Sequence, residues 1–265
     1  MLHLAIECSA LAGSVAILRQ QTVIAERTLP PIVGSVQSLA PAIVELLAPH
    51  RAGNLPTVEL ISVTHGPGSF TGLRGGLALA KMLGLAWQIP IVPVDTLHVI
   101  AAQTAHDLNS QSPIAGNAAA DVVAVLNAFR KQVFVGAWRI ASDSSNRPTI
   151  DLIPLAEPQV LAAELWQAQP LAALERTAGD RQPNGDAMSH ASRSLWISGA
   201  GLRNYMPQLD DGVNLADPAR WDPTAAWVGR LGWHSYLAGG AVSAAELAPN
   251  YVRSSAAEEA RDARR

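Results

Sequence analysis

The sequence has a single cysteine and few charged residues. Cys8 alone can form neither an internal disulfide nor a multi-cysteine metal site, and such cysteine usage is typical of a reducing cytoplasm. Charged residues make up 15% of the chain and the net charge is −3, which argues against a large nonspecific nucleic-acid surface but leaves room for a local basic patch. With 265 residues, 49% of them hydrophobic, the chain has material for one large globular domain or two small ones.

Targeting signals and long hydrophobic runs are also missing. The first residues carry no basic region and reach the acidic Glu7 at once, so we expect no signal peptide. The most apolar window, 73–89, contains Lys81 and falls short of the ~20 apolar residues that a membrane span needs. We therefore expect a soluble, cytoplasmic protein without a membrane partner.

Three common catalytic patterns are absent. No two of the seven histidines lie three or four positions apart, as the pair of a zinc protease does. A Walker A loop has Lys and then Ser or Thr after its last glycine, whereas Gly72 is followed by Leu73 and Arg74. No Gly-x-Ser-x-Gly elbow is present, and His65 four residues before Ser69 is too weak a signal for a serine nucleophile.

The most informative stretch that is present is the glycine-rich loop from His65 to Arg74. It lies between an apolar run, 60–64, and a long apolar segment, 75–88, and such a loop between a strand and a helix usually meets a ligand or partner at the carboxyl edge of a sheet. The backbone amides of the loop could bind an anion at the start of the helix, or the loop could serve mainly to position the helix that follows it. The candidate ligand residues are Gly66, Gly68, Ser69, Phe70, Thr71, Gly72 and Arg74.

The helix predicted after this loop is apolar around most of its circumference. Its polar residues, Arg74, Lys81 and Gln88, are seven apart and form one narrow stripe, so the helix must be covered on more than one side. It is either the buried central helix of one domain or a helix that packs against a partner. The segment 35–50, in which Pro41 predicts a helix start near Leu39, is amphipathic as well. Candidate interface residues on the two helices are Leu39, Ile43, Leu46, Leu73, Gly76, Leu77, Ala80, Lys81 and Gly84.

The order of elements predicts a duplicated α/β fold with a cleft between two lobes. Each half begins with paired strands and then alternates helix and strand. Gln20 and Gln21 are expected to form a hairpin turn, and a helix is expected over 157–167. We place an N-terminal, partner-binding lobe at 1–108, a C-terminal lobe at 109–255 and a frayed tail at 256–265. The last helix, 225–237, is a candidate to pack back on the N-terminal lobe.

Three charged residues are candidates for a polar cleft. Glu7 and Asp95 each end a predicted strand, and carboxylates at the carboxyl edge of a sheet can hold Mg²⁺ or activate a hydroxyl. Each also has a structural interpretation, Asp95 as a helix cap with Thr96 and Glu7 as a turn or packing residue. Arg130 lies in a predicted hairpin, where it is either simply solvated or contacts a partner or a phosphate backbone.

Four stretches resemble the TsaB (YeaZ) family, a paralogue of TsaD/Kae1 within the actin-like, sugar-kinase-like (ASKHA) superfamily. The glycine loop carries the most specific signature, and Glu7 and the segment 127–129 depart from the family's Asp and Asp-Ala-Arg. The His-x-x-x-His metal motif of TsaD is absent. The matching stretches are 4–9 with 14–18, 66–74 with 76–78 and Lys81, 127–134, and 246–253.

This resemblance implies the ASKHA fold with a mixed sheet flanked by helices in each lobe. It also implies a non-catalytic scaffold and activator of the TsaD transferase, which threonylcarbamoylates the adenosine next to the anticodon of tRNAs reading ANN codons. The implied partners are TsaD in a heterodimer, TsaE in a ternary complex and a second copy when the chain is alone, with tRNA met indirectly. No catalytic residue, metal or cofactor of its own is implied, ATP, ADP or metal coming only through partner subunits. The alternative is an ATP-dependent, kinase-like phosphotransferase using Glu7 and Asp95.

Overall fold

The structure is a computed structural model that describes residues 1–31, 35–52, 55–111, 120–141, 151–168, 170, 194–209 and 211–252. The segment 179–192, whose polar, Gly- and Pro-containing sequence predicts a surface insertion, and the predicted frayed tail at 256–265 lie outside these residues. Among the helices that are described, none is both long and apolar enough to cross a bilayer.

The first sheet has five strands and is covered on both faces. Strands β1, β2 and β3 form an antiparallel meander, and β6 and β7 then run parallel to β1 in the order β3-β2-β1-β6-β7. Since both faces of β1 are covered, all of its residues are buried. The bounds are β1 Leu2–Glu7, β2 Ser14–Arg19, β3 Thr22–Thr28, the short pair β4 Arg51–Ala52 and β5 Leu55–Pro56, β6 Val58–Gly66 and β7 Ile91–Asp95.

The second sheet repeats this topology. Its order is β10-β9-β8-β11-β12, again with three antiparallel strands followed by two parallel ones. Two mixed sheets with the same connectivity confirm the predicted duplicated, actin-like fold. The bounds are β8 Ala120–Phe129, β9 Gln132–Ile140, β10 Leu152–Ala162, β11 Ser194–Ser198 and β12 Val213–Leu215.

In the part of the chain that the structure describes, five α-helices cover the sheets: α1 Ser35–Leu47, α2 Phe70–Trp87, α3 Thr96–Gln111, α4 Ala163–Ala168 and α5 Ala225–Leu237. Helices α1 and α2 pack on one face of the first sheet, and α5 packs on the opposite face. Helix α3 lies between the sheets. Its Leu97 and Ile100 pack against the second sheet, whereas Val99 and Ala102 share a core with α5 and the first sheet.

Three predicted boundaries differ from the structure. The helix expected over 157–167 is wrong for its first half, because β10 continues to Ala162 in register with β9 and only 163–168 are helical. Helix α1 begins at Ser35 instead of near Leu39, with Pro41 inside it on an exposed side where the unpaired backbone carbonyl can reach water. Helix α3 extends through Gln111, so the lobe boundary expected after residue 108 falls within this helix.

Candidate functional site at the glycine loop and helix α2

The glycine loop connects β6 to α2 and packs against the turn that follows β1. The amide of Ser69 donates to the Ser9 carbonyl at 2.8 Å. A Cβ placed on Gly68 would lie 2.6 Å from Ser9, and one on Gly72 would overlap the Cys8 carbonyl. Glycine is therefore required here because the loop meets its own chain closely.

The other side of the loop is covered by residues near the C-terminal end of the described chain. The amide of Asn250 donates to the His65 carbonyl at 2.7 Å, and Gly66, with φ 131°, lies directly against the Asn250 carbonyl. Burial lowers the pKa of His65, although a backbone hydrogen bond to Ala248 opposes this. The loop is thus enclosed between the first turn of the chain and the segment 248–250.

The predicted anion-binding role of the loop has little room in this arrangement. Ser69 is the N-cap of α2, and its hydroxyl accepts from the Gly72 amide at 3.3 Å. Because the Ser69 amide also bonds within the chain, two of the amides that would hold a phosphate are already occupied. Anion binding at this loop stays a prediction.

Three larger side chains cluster where the loop continues into α2. The Arg74 guanidinium lies 3.8 Å from the centre of the Phe70 ring, and its Nε donates to the Tyr251 hydroxyl at 3.3 Å. The two aromatic rings lie 6.0 Å apart. Arg74 and Phe70 therefore tie the start of α2 to the C-terminal segment.

Glu7 is buried at the end of β1 and organises the turn that follows. Its Oε1 accepts from the amides of Ser9 at 2.6 Å and Ala10 at 3.2 Å and from the Ser9 hydroxyl. Its Oε2 has no hydrogen-bond partner within the part of the chain that the structure describes. Burial raises the pKa of Glu7 to about 7, the bonds from Ser9 and Ala10 oppose this rise, and the Asp222 carboxylate adds to it.

Asp95 caps α3, accepting from the His98 amide at 2.9 Å, as the sequence predicts. Burial raises its pKa to about 6, and the nearby Glu157 carboxylate adds to the rise. Strand β6 separates Glu7 on β1 from Asp95 on β7, which places their backbones about 10 Å apart. Arg130 belongs to the hairpin of the other sheet. Among the described residues, no group of His, Cys, Asp and Glu could hold a metal ion.

Most of the predicted interface residues face the core of this chain. Only Leu46 and Lys81 are partly exposed, so the assignment of the others to a partner surface is corrected. A Cβ on Gly76 would lie 2.6 Å from the Cys8 Cβ, and one on Gly84 2.7 Å from Ile91 Cδ1, so these glycines allow close packing within the chain. The buried residues are Leu39, Ile43, Leu73, Gly76, Leu77, Ala80 and Gly84.

The exposed face of α2 is apolar too. Met82 is 66% exposed and Leu85 68%, with the exposed Ala78 one turn earlier. Val44, 54% exposed, belongs to α1, which packs beside α2. We call these four residues the outer face. The spacing 78, 82, 85 follows a helical stripe and could have been found in the sequence, but the apolar and small residues around the rest of the helix hid it.

The chain was compared with known proteins. The family model described as tRNA N6-adenosine threonylcarbamoyltransferase, TsaD, matches residues 33–142. A protein of Bacillus subtilis named tRNA threonylcarbamoyladenosine biosynthesis protein TsaB is 36% identical over 141 residues, which are 52% of this chain and 56% of that protein. A Haemophilus influenzae protein of the same name is 32% identical over 136 residues, covering 49% and 51% of the two chains. Over about half of its length, this chain is similar to proteins of the TsaB (YeaZ) family.

The match to these relatives is partial, and the fold match is nearly complete. The chain spans about half the length of the curated TsaB proteins that it matches. The solved structure of YeaZ from Pseudomonas aeruginosa superposes with a TM-score of 0.66 at 23% identity, covering 94% of this chain and 99% of that one. At this identity the structural match shows that the two proteins share a fold.

Proposed function

We propose that this chain is a non-catalytic partner subunit in the threonylcarbamoylation of the adenosine next to the anticodon of tRNAs reading ANN codons. It would bind and activate a TsaD-type transferase, with TsaE joining the complex. The observation that carries the proposal is the outer face on α1 and α2, which is apolar and exposed in a lobe whose relatives are named for threonylcarbamoyladenosine biosynthesis.

The outer face is suited to a helical partner. Met82 and Leu85 are both about two-thirds exposed and lie one turn apart on α2, with Ala78 one turn before Met82. The exposed Val44 belongs to α1, which contacts α2. A single isolated apolar side chain would need no explanation, whereas several on two neighbouring helices suggest a binding surface. Complete burial of a Leu or Met side chain contributes about 1.5–3 kcal/mol, so covering this face is worth several kcal/mol. Ala78 also lets a second helix approach closely.

The acidic residues of the N-terminal lobe support the non-catalytic part of the proposal. Glu7 accepts hydrogen bonds from the turn after β1, and Asp95 caps α3, so each carboxylate has a structural role close to it in sequence. Asp95 and Glu7 also lie two strands apart. We propose that the chain has no cofactor of its own and that nucleotide or metal comes through its partners.

The docking test is a pair of matched substitutions. Met82→Arg places a charge in the middle of the outer face. The control, Leu237→Arg, places a charge at an equally exposed position (66%) on α5, the helix that packs on the opposite face of the first sheet. Binding to purified TsaD should weaken at least about tenfold in Met82→Arg, because the new charge would be buried without a partner, and should be unchanged in Leu237→Arg. Equal binding by both variants would refute docking through the outer face.

The same face is expected to join two copies when the chain is alone. Sedimentation of the isolated protein should show a dimer whose dissociation is promoted by Met82→Arg and not by Leu237→Arg. A wild-type protein that stays monomeric at high concentration would count against this part of the proposal.

One observation favours the kinase-like alternative: Glu7 Oε2 is buried and has no hydrogen-bond partner among the residues that the structure describes. Titration calorimetry of the isolated chain with Mg-ATP separates the two functions. Under the proposal no binding heat is expected, whereas sub-micromolar binding that is lost in Glu7→Gln would support the phosphotransferase.

A further inference from the structure

The tip of the hairpin between β8 and β9 has an unusual backbone. Phe129 pairs with Gln132, so Arg130 and Lys131 form a two-residue turn. Phe129, Arg130 and Lys131 have φ values of 59°, 48° and 59°. Left-handed conformations are unfavourable for residues with a Cβ, and turns of this kind normally use Asn and Gly. The sequence therefore places three long side chains where small residues fit best.

Neighbouring residues hold this tip in place. The Asn127 side chain accepts from the Phe129 amide at 2.7 Å and donates to the Asn204 side chain at 3.1 Å. The Lys131 carbonyl accepts from the amide of Ala163, the first residue of α4, at 2.8 Å. A strained conformation that its surroundings keep in place is a feature of sites that recognise something.

The side chains at the tip share a chemistry. Phe129 is 60% exposed although it is apolar, and Arg130 and Lys131 beside it are exposed as well. The two cations lie at adjacent positions in a chain whose net charge is −3. An exposed ring next to two cations matches unpaired nucleotides, because a base stacks on the ring while the neighbouring phosphates meet the cations.

We propose that the β8–β9 hairpin tip, Phe129, Arg130 and Lys131, binds single-stranded RNA directly. Phe129 provides the stacking surface, and Arg130 and Lys131 provide the phosphate contacts. The inference rests on the proposed function only in taking tRNA as the RNA met in the cell. Binding itself requires no docking through α1 and α2, since the tip belongs to the other lobe.

An acidic protein surface is the competing occupant. Leu165 on α4 and Met206 are also exposed, and α4 is bonded to the tip. Leu165 and Met206 could extend a protein-binding surface, but they are uncharged and have no ring on which a base could stack. The exposed ring of Phe129 with its two adjacent cations therefore favours RNA as the occupant.

Fluorescence anisotropy with a fluorescein-labelled, mixed-sequence 12-nucleotide single-stranded RNA tests the proposal on the full chain. Phe129→Ala should weaken binding about fivefold or more, since stacking on one base is lost. Arg130→Asn/Lys131→Gly gives the turn its preferred residues, so its thermal midpoint should rise while its affinity falls. Its plot of log K against log[salt] should become shallower by about 1.4, because two phosphate contacts to a single strand are lost.

The control is Arg19→Gln/Arg27→Gln, which removes the same charge from exposed positions of β2 and β3 and should leave RNA binding near the wild-type value. No saturable binding by the wild type at about 1 mM protein, or equal binding by all variants, overturns the proposal. It is also overturned if Phe129→Ala binds RNA normally and loses TsaD instead. Met82→Arg should keep its RNA affinity, so a failure of docking and a failure of RNA binding are separable.

Discussion

Replacement of Glu7 by Gln should remove a large part of the pH dependence of stability. Burial raises the pKa of Glu7 from 4.5 to about 7. The folded state therefore binds this proton more tightly than the unfolded state, so the stabilisation is fully present below pH 4.5 and is lost as the pH rises through 7. At about 1.4 kcal/mol per pKa unit the loss totals about 3 kcal/mol, most of it between pH 5 and pH 8.

The side-chain amide that Glu7→Gln introduces can accept the same bonds from Ser9 and Ala10 through its oxygen, without an ionisable group. Urea unfolding at pH 5, 6, 7 and 8 should give Glu7→Gln a stability relative to wild type that grows by about 2–3 kcal/mol over this range. Glu164→Gln changes an exposed carboxylate on α4 and should follow the wild-type curve. A constant difference between wild type and Glu7→Gln at all four pH values would show that burial of this carboxyl does not govern the dependence.

Two further predictions concern the loop and the junction of the lobes. Gly72→Ala should lower the free energy of unfolding, measured in urea, by about 1–3 kcal/mol, because the new Cβ would overlap the Cys8 carbonyl. The control, Gly75→Ala, changes a half-exposed helix position and should be neutral or stabilising. A Gly72→Ala variant as stable as the wild type would contradict the packing argument. Burial lowers the pKa of His98 from 6.5 to about 4, so its neutral form contributes stability that is lost as the pH falls below 6.5. His98→Phe keeps a ring stacked on Trp138 and should reduce the loss of unfolding free energy between pH 7 and pH 5 by about 2 kcal/mol. If the variant loses as much stability as the wild type over this pH range, His98 does not have this role.

Local patterns predicted the elements whose residues decide their own conformation. The hairpin at Gln20, the strand that leads into the glycine loop and the cap at Asp95 depend on neighbours in sequence, and all three occur in the structure. The segment 157–162 was misread, because its pairing with β9 decides its conformation and that partner lies some 25 residues away.

The candidate site was predicted in part for the same reason. The sequence predicted α2 and showed that this helix is apolar around most of its circumference, but periodicity alone does not say which side of the helix packs against the sheet. Leu73 and Leu77 pack against the sheet, and Met82 faces out. The distant contact of Gly66 with Asn250 has no local signal at all. The left-handed tip at Phe129 was hidden too, since nothing in its residue types indicates a turn of that geometry.

The packing of α5 on the first sheet has a consequence for synthesis of the chain. Ala5, Leu18, Leu60 and Val92 share a core with α5, which is made more than a hundred residues after β7. At about 5–20 residues per second the ribosome needs on the order of ten seconds to cover that interval. During this time α3 covers part of that apolar face of the nascent first sheet through Val99 and Ala102, and the cover that α5 provides is missing. The N-terminal lobe therefore completes its core only after the C-terminal lobe has been made, and a fragment ending near residue 108 should aggregate or require a chaperone.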